Sequence, residues 1–181
     1  MPHVHLSVQA GDDLIPARMK RRHLRQDVIE LCGRLRGGAR LGIVFGADLI
    51  AGFPTEDEAM FMHHCLVEEA GLTFLHVFPY SPRPGTPASR MPQLAKPLVK
   101  ERAARLRAKG EAALDRFLAA EVGRRRRVLV ERGDRGHTEE FAPIRLAGPV
   151  PGGTLAEVAV TGVDGGLLVG RADAMSGVVS A

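Results

Sequence analysis

Asp48 is the residue best placed for chemistry in an otherwise apolar stretch. It is the single acid of LGIVFGADLIAGF, residues 41–53, and the segment GFPTE begins at Gly52. A carboxylate inside an apolar strand is costly unless it is hydrogen-bonded or paired, so Asp48 is either a satisfied structural acid or a ligand contact. We favour the ligand contact, because Gly52 permits a close backbone approach and the helix after it would present free N–H groups.

The proline-rich loop HVFPYSPRPGTPASRMP, residues 76–92, is a second candidate for ligand binding. Its prolines end any regular helix or strand, and it carries Tyr80, Ser81 and Arg83 directly after an apolar segment. Loops that follow the strands of parallel α/β proteins commonly carry the chemistry. We therefore expect the loop to form one wall of a ligand-binding site; the alternative is that it is a stiff spacer.

Basic side chains form two runs in a chain with net charge +4 and a pI near 9.6. The run ARMKRRHLR, residues 17–25, follows a strand and a turn. One of its arginines could therefore clamp a carboxylate, and a solvated face is the alternative. The second run comprises Arg124, Arg125, Arg126 and Arg127. It predicts contact with nucleic-acid phosphates, with an arginine-rich linker as the alternative.

The histidines and cysteines predict no metal site. Consecutive helical residues point about 100° apart, so His63, His64 and Cys65 cannot converge on one ion; we expect surface histidines and a packed cysteine. His3 and His5 share a strand face, but no third ligand is evident near them. The chain has two cysteines, too few for an iron–sulfur cluster or a disulfide framework.

The elements that must position these residues alternate between strand and helix. The predicted elements are a strand over 3–9, helices over about 12–19 and 26–36, a central strand within 41–53, a helix from the capping box TEDE at 55–58 to about Gly71, and a strand over 72–78. Cys32 lies on the apolar face of the second helix, so we expect its side chain simply to pack in the core. This order is typical of a parallel α/β sheet or barrel.

A long helix over 97–120 leads to a segment of different character. The short apolar runs RVLVER, EFAPIRL, LAEVAVTG and GLLVGRA are separated by Gly- and Pro-rich turns, which predicts a small all-β barrel. The last nine residues are expected to form a flexible tail. The sequence shows no signal peptide and no run long enough to span a bilayer, so we expect a cytoplasmic protein without membrane contact.

These motifs together resemble a known family. HVHLSVQAGDD, RMKRRH, FGADLIAGFPTE and HVFPYSPRPGTPASRMP resemble the later strands and loops of the radical S-adenosylmethionine methylthiotransferases. Within that family they are most similar to the bacterial enzymes that act on threonylcarbamoyladenosine at tRNA position 37. VLVERGDRGHTEEFAPIRL and VTGVDGGLLVG resemble the TRAM domain, a small RNA-binding β-barrel. The resemblance extends over residues 2–172.

The resemblance implies methylthiolation of N6-threonylcarbamoyladenosine at adenine C2, with tRNA as partner. Its cofactors would be S-adenosylmethionine and two 4Fe–4S clusters, one held by a Cys-x3-Cys-x2-Cys loop and one by an N-terminal domain. The residues that it places at the S-adenosylmethionine pocket are Gln9, Arg21, Asp48, Ile50 and Gly52. It places Tyr80, Ser81 and Arg83 near the barrel mouth, toward the RNA substrate, and no residue receives a catalytic role.

The Cys-x3-Cys-x2-Cys motif is absent from the chain, and neither Cys32 nor Cys65 falls in a motif position. We therefore expect a C-terminal portion that is inactive alone and needs a missing N-terminal half, from the same gene or in trans. The expected fold is α/β, the C-terminal part of a radical SAM partial (β/α) barrel followed by a small all-β TRAM barrel. The expected divisions are 1–95 (last three barrel strands), 96–120 (trailing helix), 121–172 (TRAM-like barrel) and 173–181 (flexible tail).

Two other functions remain open from the sequence. One is a non-catalytic RNA-binding remnant, or a subunit of a split enzyme, that uses the barrel and the four arginines. The other is an unrelated small α/β enzyme that uses Asp48 and Arg83 on a phosphorylated metabolite.

Overall fold

The structure is a computed structural model that describes residues 1–38 and 42–173. The chain divides into two compact units, one spanning Val4–Ala113 and the other formed by Met1–His3 with the chain from Leu114 onward. The elements of the first part of the chain are β1 (His3–Gln9), α1 (Leu14–Arg18), α2 (Arg25–Gly38), β2 (Val44–Ala51), α3 (Glu58–Met62), α4 (Leu66–Glu69), β3 (Leu72–Pro79) and the long α5 (Lys96–Glu121).

A three-stranded sheet in the order β1-β2-β3 organises the first unit. β2 is central and pairs in parallel with β3, in a register that places Asp48 beside His76 and Ile50 beside Phe78. Since strand side chains alternate between faces, Asp48 and Ile50 of β2 lie on one face of the sheet. The face opposite to them is buried among the helices and contributes Phe45, Ala47, Leu49 and Ala51 to the core. The predicted central parallel strand is confirmed.

The helices cover one face of this sheet. Val28 and Cys32 of α2 and Ala103 and Leu106 of α5 are buried in the same apolar core. Cys32 is fully buried, as its place on the apolar face of α2 predicted. We call the opposite face of the sheet, with His5 of β1, Asp48 of β2 and His76 of β3, the open face.

The single helix predicted from the capping box over 55–58 to Gly71 is wrong in two respects. Thr55 adopts a left-handed φ of 69° and does not cap the helix. Asp57 is the N-cap, and its side chain accepts a hydrogen bond from the Met60 N–H. The helix is then interrupted by a 3-10 turn at His63–Cys65. Gly11 lies against this turn so closely that a Cβ there would be 2.2 Å from the His63 carbonyl oxygen.

The second unit contains a closed five-stranded barrel in the order β4-β5-β6-β8-β7. Its strands are β4 (Arg125–Arg132), β5 (Arg135–Thr138), β6 (Pro143–Leu146), β7 (Leu155–Asp164) and β8 (Leu167–Ala172). The inward side chains include Val128, Ile144, Val158 and Leu168, all buried. The predicted small all-β barrel is confirmed, and it is packed by alternate residues of its strands.

β5 was not predicted, because its sequence RGHT has no apolar alternation. Gly136 allows this strand to approach β4, since a Cβ there would lie 2.1 Å from the Leu129 carbonyl oxygen. The predicted flexible tail over 173–181 lies, from residue 174 onward, outside the described residues. Among the helices of the described ranges, none is both long and apolar enough to cross a membrane.

Candidate functional site

Asp48 is held by two histidines on the open face. Its Oδ1 lies 2.9 Å from His5 Nε2 and 3.2 Å from His76 Nδ1. The two imidazole centroids are 4.7 Å apart with their planes tilted by 37°. One residue of this cluster comes from each strand of the sheet, so the paired backbones fix their spacing. The acid that interrupts an apolar strand is therefore hydrogen-bonded and only partly buried.

The sequence offered no third ligand near His3 and His5, and the structure corrects that conclusion. His5 is joined by Asp48 and His76, and the ligand atoms of these three residues all lie within 4.8 Å of one another. His5 and His76 are 43 and 28 residues away from Asp48 along the chain. Only the strand register brings them together, so no spacing motif could have identified the cluster.

Two further residues predicted for the S-adenosylmethionine pocket lie near Asp48 in the sheet. Ile50 is two residues along β2 and is half-buried, so it shares the open face. Gln9 ends β1, with a buried side chain and a left-handed φ of 76°. Gln9 has the strand parity of His5, and its left-handed φ ends the alternation at this residue. Arg21 is exposed in the segment between α1 and α2.

Gly52 has a conformational and a packing reason to be glycine. Its φ is 77°, and a Cβ there would lie 2.8 Å from a methyl carbon of Val99. Its N–H donates to Glu56 Oε2 at 2.9 Å. The helix after it, α3, is short and is capped by Asp57. The Gly52 and Met60 N–H groups are therefore engaged by carboxylates of the same loop.

Glu56 and Arg102 form a buried ion pair that the sequence did not reveal. Arg102 Nη1 donates to Glu56 Oε2 at 2.9 Å and to the Glu56 carbonyl oxygen at 2.8 Å. Burial raises the pKa of Glu56, while the Gly52 N–H and Arg102 oppose this rise. The pair ties the loop after β2 to α5, and its 46-residue separation leaves no local signal in the sequence.

The proline-rich loop is held by contacts with the end of β2 and the loop after it, and by hydrogen bonds within the loop itself. The Tyr80 N–H donates to the Ala51 carbonyl oxygen at 2.9 Å, and its ring packs edge-on against Phe53 at 5.3 Å. Partial burial raises the pKa of Tyr80. Thr86 donates through Oγ1 to the Arg83 carbonyl oxygen at 2.8 Å. Ser81 is exposed, as is Arg83, so these two residues are the accessible ones of the three predicted to contact substrate.

The four consecutive arginines differ in environment. Arg126 is only 22% exposed and binds Glu121, which is 3% exposed; the hydrogen bonds that Arg126 donates to this carboxylate raise the pKa of Arg126. Arg124 reaches the same carboxylate at 3.2 Å. This half of the run stabilises the junction between α5 and β4.

Arg125 and Arg127 are the outward members of the run. Their side chains are 64% and 59% exposed, and they pair with Asp173 and Glu139. Surface pairs of this kind contribute little to stability, so an incoming phosphate could replace either carboxylate. The run therefore contains two arginines that bind buried Glu121, of which Arg124 is itself 55% exposed, and two that pair with the more exposed Asp173 and Glu139.

A partly exposed aromatic pair lies on the same barrel. The rings of His137 and Phe141 stack with centroids 4.7 Å apart and an interplanar angle of 13°. Phe141 is 46% exposed and adopts a left-handed φ of 69° in the turn after β5. Such a ring can stack on an unpaired nucleobase. Sequence reasoning missed it because few aromatic residues are present and this one sits in a turn.

His64 does not lie at the surface, and that prediction is wrong. It is 3% exposed and its Nδ1 donates to the Phe61 carbonyl oxygen at 2.7 Å. Burial lowers the pKa of His64. The 3-10 turn rotates this residue toward the core, whereas the neighbouring His63 is half-exposed and lies 2.7 Å from Asp12. Cys65 is partly rather than fully buried.

The cysteines do not fit a 4Fe–4S cluster. Cys32 is fully buried in the core, and burial raises the pKa of its thiol, which opposes the thiolate form that binds iron. Cys65 Sγ accepts a hydrogen bond from Arg25 Nη2 at 3.4 Å. A Cys-x3-Cys-x2-Cys loop needs three thiolates, and the whole chain has two cysteines.

No family model matches the chain. Among curated proteins, it is 47% identical over 169 residues to the threonylcarbamoyladenosine tRNA methylthiotransferase of Rickettsia prowazekii. That alignment covers 93% of this chain and 40% of the relative. The tRNA-2-methylthio-N(6)-dimethylallyladenosine synthase of Erythrobacter litoralis is 42% identical over 73% of this chain and 30% of its own length. The corresponding synthase of Bartonella bacilliformis is 34% identical over 94% and 39%.

Proposed function

We propose that this chain, which is homologous to the C-terminal part of the tRNA methylthiotransferases, serves as the substrate-binding portion of such an enzyme. The similarity of nearly the whole chain to the Rickettsia relative is the observation that carries the proposal. The chain spans about 40% of the length of that relative, so activity, substrate and partners all belong to the proposal. A tRNA-modifying role further implies action in the cytoplasm.

The two units fit the expected division of the chain into a partial barrel, a trailing helix and a small RNA-binding barrel. We assign the β1-β2-β3 sheet, within residues 1–95, to the last three strands of a radical SAM partial barrel. Residues 96–120 form the trailing helix, and residues 121–172 form a TRAM-like RNA-binding barrel. The parallel pairing of β2 and β3 and the closed five-stranded barrel support this assignment.

The open face supplies the groups proposed to hold S-adenosylmethionine. Gln9 and Asp48 offer an amide and a carboxylate for the polar atoms of such a ligand, and Ile50 offers an apolar contact. Arg21 and Gly52 complete the proposed set. In the family, S-adenosylmethionine is the source of the radical that the chemistry requires. Since the thiols of this chain do not fit a cluster, we propose that the chain alone is catalytically inactive.

The substrate is proposed to be N6-threonylcarbamoyladenosine at tRNA position 37, modified at C2 of the adenine. The relative whose name contains threonylcarbamoyladenosine is 47% identical, against 42% for the dimethylallyladenosine synthase of Erythrobacter. Ser81 and Arg83, exposed on the proline-rich loop next to Tyr80, are the proposed contacts toward the RNA.

A non-catalytic RNA-binding protein, or one subunit of a split enzyme, is the second candidate. The chain's two cysteines favour it, because neither can serve a cluster. This candidate needs the barrel, Arg125, Arg127 and the stacked ring of Phe141, and it needs no S-adenosylmethionine.

Two binding measurements on the 181-residue chain separate the candidates. Fluorescence anisotropy with an anticodon stem-loop RNA, over a series of salt concentrations, tests RNA binding. Equilibrium dialysis with labelled S-adenosylmethionine tests the open face, with Asp48→Asn as the variant. Binding of both ligands supports the methylthiotransferase portion, and RNA binding alone supports the second candidate. Binding of neither contradicts both.

The genomic DNA upstream of the Met1 codon gives an independent test. An uninterrupted reading frame that encodes Cys-x3-Cys-x2-Cys would support the methylthiotransferase proposal. A stop codon or unrelated sequence there would favour the remnant or split subunit.

A further inference from the structure

We infer that His5, Asp48 and His76 form a binding site for a divalent transition-metal ion, with Zn²⁺ as the simplest occupant. The inference does not rest on the proposed function, and because Asp48 is also a proposed S-adenosylmethionine contact, the metal is titrated in the absence of that ligand. It follows from the position of three ligand atoms on the open face of the first unit.

The spacing of the donor atoms matches a metal coordination edge. With Zn–N and Zn–O bonds of about 2.0–2.1 Å, two ligands of a tetrahedral zinc are about 3.3 Å apart. Asp48 Oδ1 lies 2.9 Å from His5 Nε2 and 3.2 Å from His76 Nδ1. Shifts of a few tenths of an ångström would therefore convert two hydrogen bonds into two edges of a coordination shell.

The sheet holds the three ligands in place from three different strands. β2 is paired with β3 in a register that sets Asp48 beside His76, and β1 lies on the other side of β2. Ligands on paired strands are more precisely placed than ligands on loops. An ion binding here would find its three donor atoms within 4.8 Å of one another.

The donor types select the class of metal. Two imidazole nitrogens and one carboxylate oxygen suit zinc, iron(II), cobalt(II), nickel(II) or copper(II), whereas magnesium and calcium prefer sets made of oxygens alone. Three protein ligands leave at least one position for water or another ligand, as in catalytic rather than structural zinc sites.

The site is open to an ion from solvent. The side chains of His5 and Asp48 are 32% and 31% exposed, and that of His76 is 63% exposed. A fully buried trio would need a conformational opening for entry. Here the ion could enter from the side of His76.

The test is a titration of the full 181-residue chain with Co²⁺, followed by displacement with Zn²⁺. Cobalt reports its own coordination, because its visible ligand-field bands intensify in four-coordinate sites and a thiolate ligand adds a charge-transfer band. We expect one equivalent of Co²⁺ to bind without a thiolate band and to be displaced by Zn²⁺.

Three single variants remove the ligands: His5→Asn, Asp48→Asn and His76→Asn. Each is expected to weaken Co²⁺ binding at least about tenfold. Loss of a residue that merely hydrogen-bonds to a metal ligand already has an effect of about this size, and loss of a ligand should have no smaller one. Asp48→Asn keeps the side-chain shape, and His76 is the most exposed of the three, so at least two variants spare the core. Far-UV circular dichroism of each variant verifies that the fold is kept.

His137→Asn is the matched control. His137 also pairs with a carboxylate, Glu131, at 2.9 Å, but it belongs to no three-residue ligand group among the described residues. Cobalt affinity should not change in this variant. Any one of three results would overturn the inference. They are the absence of Co²⁺ binding to the chain, unchanged Co²⁺ binding in both Asp48→Asn and His76→Asn, and a thiolate band that assigns the ion to a cysteine.

Discussion

The carboxylate of Glu56 and the guanidinium of Arg102 meet at 2.9 Å in a setting almost without solvent, with side-chain exposures of 0% and 4%. The same oxygen, Oε2, also accepts the Gly52 N–H. One carboxylate thus joins the loop after β2 to α5, on the side of the sheet away from the open face.

Replacing Arg102 by Met should destabilise the chain by about 3–5 kcal/mol, because it leaves the Glu56 carboxylate buried without its counter-charge. Urea unfolding at neutral pH measures the effect. The double variant Glu56→Gln/Arg102→Met should recover part of the loss, since the buried charge is then removed. Arg105→Met is the control, because Arg105 pairs with Glu58 at the surface and should change stability little. Equal losses in the two arginine variants would contradict this account.

Gly52→Ala should also destabilise the fold, through both backbone conformation and packing. A non-glycine residue at a φ of 77° costs about 1–3 kcal/mol, and the added methyl group would collide with Val99. Gly85→Ala is the matched control, because its φ of 86° carries the same conformational cost but no atom lies within 4 Å of its Cβ position. We expect the larger loss at Gly52 in urea unfolding, with partial rescue by Val99→Ala. Equal losses would remove the packing explanation.

His64 should make stability fall in mild acid. Burial lowers its pKa in the folded state, so the unfolded chain takes up a proton that the folded chain resists. The unfolded histidine titrates near 6.5. The destabilising effect of His64 is therefore absent well above a pH of about 6.5. As the pH falls below the pKa of the unfolded histidine, the free energy of unfolding decreases by at most about 1.4 kcal/mol per pH unit. Urea unfolding between pH 8 and pH 5.5 should show a smaller decrease in His64→Gln. Parallel pH profiles for the two proteins would refute the assignment.

The architecture was predictable where periodicity reports burial. The apolar run that became β2 and the alternation HVHLSVQ that became β1 both gave the correct strands. β5 was missed, because its short sequence forms a strand only through pairing with β4 and β6. The helix after β2 was predicted as continuous, because local capping signals do not reveal the contact between Gly11 and His63 that accompanies its interruption.

The site was less predictable than the fold, because its key contacts join distant residues. Asp48 was singled out from the sequence as an unusual acid, but its partners His5 and His76 lie on other strands and were not identified. The arginine run was visible as a run, and the sequence could not show that Arg126 is held by buried Glu121 while Arg125 faces outward. Register and burial, rather than residue type, decide these roles.

The outward arginines should carry the salt dependence of RNA binding. Arg125→Ala and Arg127→Ala should each weaken binding to an anticodon stem-loop RNA, and each should reduce the salt slope by about one if the side chain contacts a phosphate. Arg126→Ala is the comparison within the same run. It should lower the unfolding free energy, because Arg126 pairs with buried Glu121, and should leave the salt slope unchanged. Unaltered RNA affinity in the Arg125→Ala/Arg127→Ala double variant would exclude an RNA role for this run.

Phe141 should contribute to RNA affinity through stacking rather than charge. Its exposed ring continues the stack begun by His137, and loss of one base–aromatic stack costs about 1–3 kcal/mol of binding free energy. Phe141→Ala should therefore weaken stem-loop binding about 5- to 150-fold at one salt concentration, whereas Phe141→Tyr should bind like the parent chain because it keeps the ring. The salt slope should be the same in all three proteins, since no phosphate contact is lost. A changed slope, or equal losses in the Ala and Tyr variants, would show that the turn acts through its backbone shape instead of its ring.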